Sequence, residues 1–157
     1  MGFWRRNPSS QNQTATFDHA YHVVELNIPA EHRFLNVVGS CVEALFERMS
    51  NIPEREIKTY NTQLAVHEIC TNIVNHAYKD IENGRIQVLF FLDEDAQQLE
   101  INLYDYGVRF DPSSVREPNL DEPQVHGYGL FLVRQLVDEV VYTPEASRNH
   151  WRLVVKW

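Results

Sequence analysis

Glu68, Asn72 and His76 recur at every fourth residue through a segment whose other positions, Ala65, Val66, Ile69, Cys70, Ile73, Val74 and Ala77, are apolar. At about 100° per residue the apolar positions form one helical arc, and Glu68 and Asn72 fall on its shoulder rather than opposite it. A carboxylate and a carboxamide at the edge of a buried face stand where a cavity would open. The carboxylate can take a proton or orient a water, and the carboxamide oxygen can ligate a hard cation such as Mg²⁺. An ordinary surface pair beside a core-facing stripe has the same spacing, so this segment alone leaves both readings open.

Two further segments carry chemistry. Asp105 ends the apolar run Leu99 to Leu103, where its carboxylate can accept a hydrogen bond from an amino group in a pocket. Gly107 lets the backbone turn and approach a flat ligand without a Cβ, and Arg109 is within reach of a phosphate. A plain turn after a strand fits the same residues. In the third segment Gly127 and Gly129 precede Leu130-Phe131-Leu132-Val133-Arg134. Free N–H groups in the first turn of a helix there could hold phosphate oxygens, although a glycine-rich helix start after a mobile loop would read alike. The pattern is neither a P-loop nor a dinucleotide-binding glycine fingerprint. His67, His76 and His126 make no metal-binding spacing, and Cys41 and Cys70 both lie in apolar helical patterns that argue for buried thiols in a reducing compartment.

The elements that must position these groups follow from periodicity. Val24, Leu26 and Ile28 alternate with polar residues and predict a strand ended by Pro29. Phe34, Leu35, Val38, Cys41, Val42, Leu45 and Phe46 predict an amphipathic helix from Glu31 to Met49. A short helix is expected over Glu54 to Lys58, and a second long one from about Asn61 to Lys79. Ile86 to Leu92 and Leu99 to Leu103 read as an antiparallel pair joined through Asp93-Glu94-Asp95-Ala96. A third helix is expected over Leu130 to Asp138, then strands over Val140 to Thr143 and Trp151 to Trp157. The order predicts an α+β fold, a two-layer α/β sandwich with a mixed, mostly antiparallel sheet covered on one face by helices. Met1 to Asp18-His19 reads as a flexible tail and 20–157 as one domain. The polar stretch from about Pro112 to His126 is too long for a plain connection and is expected to be a lid or binding loop.

Composition narrows the classes. The 157 residues are 43% hydrophobic and 23% charged, enough for a real core. With 14 Lys and Arg against 22 Asp and Glu, the net charge of −8 argues against a general nucleic-acid or anionic-membrane binder. There is no apolar run of the ~20 residues that would span a bilayer, nor an apolar N-terminal signal, so a cytoplasmic, soluble, single-domain protein is expected.

Taken together and in this order, the segments resemble the GHKL family of ATP-binding domains, and most of all the small bacterial anti-sigma factor serine/threonine kinases. Glu68-x-x-x-Asn72-x-x-x-His76-Ala77-Tyr78 resembles that family's N-box. Asp105-x-Gly107 resembles its first glycine box, and Gly127-x-Gly129-Leu130 followed by Leu132-Val133-Arg134 and Asp138-x-Val140-x-Tyr142 resembles its second. The resemblance runs from about Val24 to Trp157 and implies a Bergerat, histidine-kinase-like ATPase fold. It implies ATP and Mg²⁺ as cofactors, Glu68 as general base, Asn72 as metal ligand, and Asp105 as acceptor for the adenine amino group with Gly107 beneath the base. His76, on the N-box line, and Arg109, for its reach to a phosphate, are counted with the binding residues, and the resemblance implies that Gly127, Gly129 and Leu130 close over the phosphates at the end of the lid. The sequence departs from the broader superfamily at Arg109, where another glycine is common, and in a lid poor in glycine.

The function implied is transfer of the ATP γ-phosphate to a Ser or Thr of an anti-sigma factor antagonist protein, with a sigma factor as a further partner and a homodimer as a possible assembly. A non-catalytic regulatory protein gated by nucleotide is the alternative, and an interaction domain with a degenerate pocket is the third reading.

Overall fold

The computed structural model describes residues 22–111 and 128–157. The expected N-terminal tail, the expected lid and Gly127 lie outside the described residues. The chain runs β1 (His22–Pro29), a single 3₁₀ turn (His32–Phe34), α1 (Leu35–Arg48), α2 (Arg55–Asn72), a π-helical turn (Ile73–Ala77), β2 (Arg85–Asp93), β3 (Gln98–Asp105), α3 (Tyr128–Leu136), β4 (Glu139–Pro144) and β5 (Asn149–Lys156). The five strands form one sheet in the order β1-β2-β3-β5-β4, and all four neighbouring pairs are antiparallel. The helices lie on one face, so the expected two-layer architecture is the one found.

Strand alternation decides which side chains meet the helices. Ile86, Val88, Phe90 and Leu92 of β2, Leu99, Ile101 and Leu103 of β3, and Trp151, Leu153 and Val155 of β5 all point into the core. The register stacks them in rows, Val88 and Trp151 flanking Leu103, and Phe90 and Leu153 flanking Ile101. Leu35, Val38, Val42, Leu45 and Phe46 of α1 and Ala65, Val66, Ile69 and Cys70 of α2 close the core from above. The opposite sheet face is polar at its centre. There Arg152 bridges Glu100 at 2.7 Å and Glu139 at 2.9 Å, and His150 contacts Asn102 at 2.6 Å.

Besides shifts of a few residues at the ends of α1, α3 and β4, three boundaries differ from the sequence expectation. The short helix and the second long helix are one continuous α2. The Thr59 and Thr62 hydroxyls donate to the Arg55 and Lys58 carbonyls one turn back, which keeps the polar Thr59-Tyr60-Asn61-Thr62 stretch helical. The helix also stops being α-helical at Asn72. The next turn widens, and the Tyr78 N–H reaches the Ile73 carbonyl five residues earlier at 3.0 Å. Finally, β5 begins two residues before the expected Trp151, because Asn149 and His150 pair with Asp105 and Tyr104.

The expected β2–β3 hairpin is present. Asp93 Oδ1 accepts the Ala96 N–H at 2.8 Å, and Gln97 takes the left-handed conformation at φ 52° that closes the turn. Cys70 is buried, with its thiol pushed up to about 12 by desolvation, whereas Cys41 is only partly buried. Among the described residues no helix is long and apolar enough to cross a membrane.

Phe90 is fully enclosed at the centre of the sheet. Phe90→Ala is expected to destabilise the fold by about 3–5 kcal/mol, whereas Val23→Thr on the exposed edge should change it by less than about 0.5 kcal/mol. Urea denaturation followed by tryptophan fluorescence checks both, and similar midpoints for the two variants would contradict the placement of the core.

Candidate functional site

Glu68 and Asn72 lie on α2 where it packs against α3, and each is partly exposed at the rim of the core. Their neighbour is the glycine at the start of α3. A Cβ placed on Gly129 would stand 2.8 Å from Glu68 Oε2 and 3.8 Å from Asn72 Nδ2. A side chain there would push the carboxylate aside, so glycine keeps the first turn of α3 open beside Glu68 and Asn72. Leu130, the next residue, is buried in the core and anchors that turn. Glu68, Asn72 and Gly129 are therefore brought together. His76 is exposed, because the widened turn after Asn72 breaks the four-residue phase that would have kept it in line with Glu68 and Asn72.

The π-helical turn links this corner to the second one. Its last carbonyl, Ala77, accepts the Val108 N–H at 2.7 Å. Gly107 lies flat against the same turn, and a Cβ on it would collide with the Ala77 carbonyl and stand 2.8 Å from the Ala77 Cβ. The close backbone approach that Gly107 permits is therefore to the helix end. Tyr78, the following residue, donates its hydroxyl to the Arg85 carbonyl at 2.7 Å and accepts the Tyr106 N–H at 2.9 Å. These bonds hold the Asp105–Val108 corner against the end of the helix.

Asp105 is 1% exposed. Its Oδ1 accepts the Gly107 N–H at 3.0 Å and an Asn149 amide N–H at 2.7 Å. Its Oδ2 is buried and has no hydrogen-bond partner. Burial pushes the carboxyl up from the usual carboxylate range, while the Asn149 and Gly107 donors pull it down. A buried carboxylate oxygen with no donor is costly unless something supplies one, and a ligand amino group has the right chemistry. That is the test the adenine assignment has to pass, and Asp105 fits it. For Mg²⁺ the fit rests on donor type: the Asn72 carboxamide supplies a hard oxygen. No cluster of three or more His, Cys, Asp or Glu that could hold a metal ion occurs among the described residues.

Arg109 is exposed, and its guanidinium donates to the Glu145 backbone carbonyl in the β4–β5 turn at 3.1 Å. Sequence reasoning did not find Asn149, and it met Tyr142 only as the end of a motif, not as the hydroxyl that accepts the Phe110 N–H and donates to Asn149. Asn149 precedes the last apolar strand and reads as a turn residue, and only the register that sets it opposite Asp105 reveals its part.

This geometry has known counterparts. Residues 28–155 match the family described as the histidine kinase-like ATPase domain, HATPase_c_2. The chain belongs to that family. It is homologous to the RsbW-like anti-sigma factor kinases of the GHKL superfamily. It is 34% identical over 128 residues to the serine-protein kinase RsbW of Bacillus pumilus, across 75% of this chain and 76% of that protein. With RsbW of Oceanobacillus iheyensis it shares 31% over 128 residues, 76% of this chain and 78% of the relative. Among solved structures, the RsbU and RsbW domains of Rv1364c from Mycobacterium tuberculosis superpose with a TM-score of 0.61 at 17% identity, covering 86% of this chain and 32% of that one. The histidine kinase domain of the Erythrobacter litoralis EL346 blue-light activated kinase gives 0.52 at 20% identity, covering 82% and 61%. At these identities the two structures speak for the fold alone. Within the family, Asp105 and the Glu68–Asn72–Gly129 corner fall inside the matched span.

The raised pKa of Asp105 has a consequence for stability. A carboxyl raised on folding favours the native state below its unfolded pKa, and that contribution is lost as pH rises through the folded value. At neutral pH the ionised carboxylate with its bare Oδ2 is thus a net cost. Asp105→Asn is expected to stabilise the nucleotide-free protein at neutral pH by on the order of 1 kcal/mol. The gain should shrink as the pH is lowered and wild-type Asp105 takes up its proton. Thermal unfolding of both proteins across that pH range checks this, and a constant difference would show that Asp105 is not the group titrating.

Proposed function

We propose that this chain is an ATP-dependent serine/threonine protein kinase of the anti-sigma type. In this reading it transfers the γ-phosphate of ATP to a Ser or Thr of an anti-sigma factor antagonist protein. The observation that carries it is the buried, donor-less Oδ2 of Asp105, in a domain whose Glu68, Asn72 and Gly129 meet at one corner. The names of the RsbW relatives support the kinase assignment.

Each residue then has a task. Asp105 accepts the exocyclic amino group of adenine, and Gly107 keeps the backbone low beside it. Asn72 offers its carboxamide oxygen to Mg²⁺, which when bound with ATP neutralises phosphate charge and orients the terminal phosphoryl group. Gly129 and Leu130, with Gly127 before them in the chain, offer the first turn of α3 to the phosphates, since the N-terminal end of a helix favours anions. Glu68, one turn before Asn72, takes the proton of the attacking hydroxyl. His76, exposed and out of phase with Glu68 and Asn72, is given no task in this reading. A sigma factor and a second copy of the chain are further partners in this reading, and the acidic net charge of −8 gives no support to nucleic acid or an anionic membrane as a partner.

One observation favours a second reading, a regulatory protein that binds nucleotide without transferring phosphate. Arg109 spends a guanidinium N–H on the Glu145 carbonyl in the β4–β5 turn, which leaves fewer of its donors for a phosphate.

Glu68→Gln separates the two. It keeps the size of the side chain and removes its basicity, so ATP affinity by calorimetry should stay within about threefold while phosphate transfer falls by about 10²-fold or more. Transfer of labelled γ-phosphate to an antagonist protein encoded nearby is the measurement. Undiminished transfer by the variant would refute the base assignment, and ATP binding by the wild type without any transfer would favour the regulatory reading.

A further inference from the structure

Behind Asp105 runs a relay of hydrogen bonds whose direction is forced at every step. The Phe110 backbone N–H can donate but never accept, and it points at the Tyr142 hydroxyl oxygen at 2.9 Å. The Tyr142 hydroxyl proton is thereby turned to Asn149 Oδ1, 2.9 Å away. With its oxygen engaged, Asn149 presents its amide hydrogens to Asp105 Oδ1 at 2.7 Å and to the Gly107 and Val108 carbonyls at 3.3 Å. Asn149 is 2% exposed and lies directly across the sheet from Asp105. Tyr142 pairs with Trp151, two residues further along β5, which places its hydroxyl on the same face. Its ring is held edge-on by Phe110 and packs on Trp151, so the hydroxyl has a fixed position.

The relay makes the two oxygens of Asp105 unequal. Oδ1 receives two donors, from Asn149 and from the Gly107 backbone, and Oδ2 receives none. Resting on the nucleotide reading above, we propose that Asn149, oriented by Tyr142, is a positioning residue for base selection: it locks Asp105 with Oδ2 as a bare acceptor, so that a base bearing an exocyclic amino group is taken and one bearing a keto oxygen there is refused.

The chemistry of the refusal is simple. Two N–H donors on Oδ1 favour the carboxylate, and an ionised Oδ2 can only accept. A keto oxygen placed against it would leave two acceptors face to face in a buried site. Burial already outweighs these donors and holds the carboxyl above the usual range, so removing the Asn149 donor makes Asp105 keep a proton to still higher pH. A protonated Oδ2 donates, and the keto base becomes acceptable. Tyr78, from the turn after α2, and Tyr142, from β4, are the titratable groups coupled to Asp105. Burial pushes both phenols up, so they stay neutral where Asp105 titrates. Arg109 influences Tyr142 and is held at the β4–β5 turn.

The test compares the wild type with Asn149→Leu and Tyr142→Phe. Two quantities are read: the titration of the Asp105 carboxyl by ¹³C NMR in nucleotide-free protein, and calorimetric affinities for adenosine and inosine triphosphates at neutral and mildly acidic pH. In Asn149→Leu the Asp105 midpoint should rise, and the preference for the adenosine nucleotide should fall about tenfold, more so in acid. Tyr142→Phe keeps the ring contacts and loses only the hydroxyl, so both effects should appear in smaller measure. A purely structural defect would weaken both nucleotides alike and leave their ratio unchanged, and that result would overturn the proposal. Should Asn149→Leu fail to fold, an unchanged Asp105 titration and ratio in Tyr142→Phe would overturn it equally. Should the wild type bind neither nucleotide, the nucleotide reading falls. The NMR titration then still decides whether Asn149 holds the carboxylate, and an unmoved midpoint in the variants rejects it.

Discussion

Asp105 ends a strand whose alternation sends every second side chain into an apolar core, and the same alternation carries its carboxylate inside. A charge in such a place must be met by donors, and this fold meets it on one oxygen only. Much of the surrounding architecture follows from that half-finished accommodation. β5 must begin early enough to set Asn149 across from Asp105, β4 must bring a tyrosine hydroxyl to orient Asn149, and the chain after Asp105 must bend sharply enough for the Gly107 N–H to fold back. The buried Oδ2 is where stability has been left open to a ligand, the pattern expected when a site is organised before its partner arrives.

The π-helical turn at the end of α2 is the second device. A helix that continued in α geometry past Asn72 would carry His76 round in phase with Glu68 and Asn72. The wider turn instead delivers the Ala77 carbonyl to Val108 and the Tyr78 hydroxyl to Tyr106. One element thus ties the Glu68–Asn72 corner to the Asp105–Gly107 corner, and rigid coupling between the two is what a ligand spanning both would need. Gly107 and Gly129 mark the two closest approaches. Each is glycine for a steric reason that the contacts show, the first against a backbone carbonyl and the second against a carboxylate.

The misread stretches share a physical cause. Thr59-Tyr60-Asn61-Thr62 looks like a break because such residues compete for backbone hydrogen bonds. Here their hydroxyls return to carbonyls one turn back and the helix runs on. Asn149 reads as a turn residue for the same reason, since a short polar side chain before a strand commonly serves its own backbone. Its actual partner is 44 positions away in the chain. Arg109 gains a partner of the same long-range kind, a carbonyl of a turn that only the folded sheet brings near.

What the sequence by itself determined was periodic or local. The strand alternation of β2 and β3, the apolar stripes of α1 and α2, the helix shoulder bearing Glu68 and Asn72, and the motifs that carry the family resemblance all depend on spacing within one segment. The two-layer fold follows from those patterns, because each amphipathic element has only one way to bury its face. Pairing across segments belonged to the tertiary structure: the register that opposes Asn149 to Asp105, the approach of Gly129 to Glu68, the widened turn that sends His76 out of line, and the oxygen of Asp105 left without a donor. Hydrogen bonds of this kind are made between residues whose types are individually common. Their meaning lies in distances of about 3 Å set by the packing of the whole chain, and periodicity within a segment carries no trace of them.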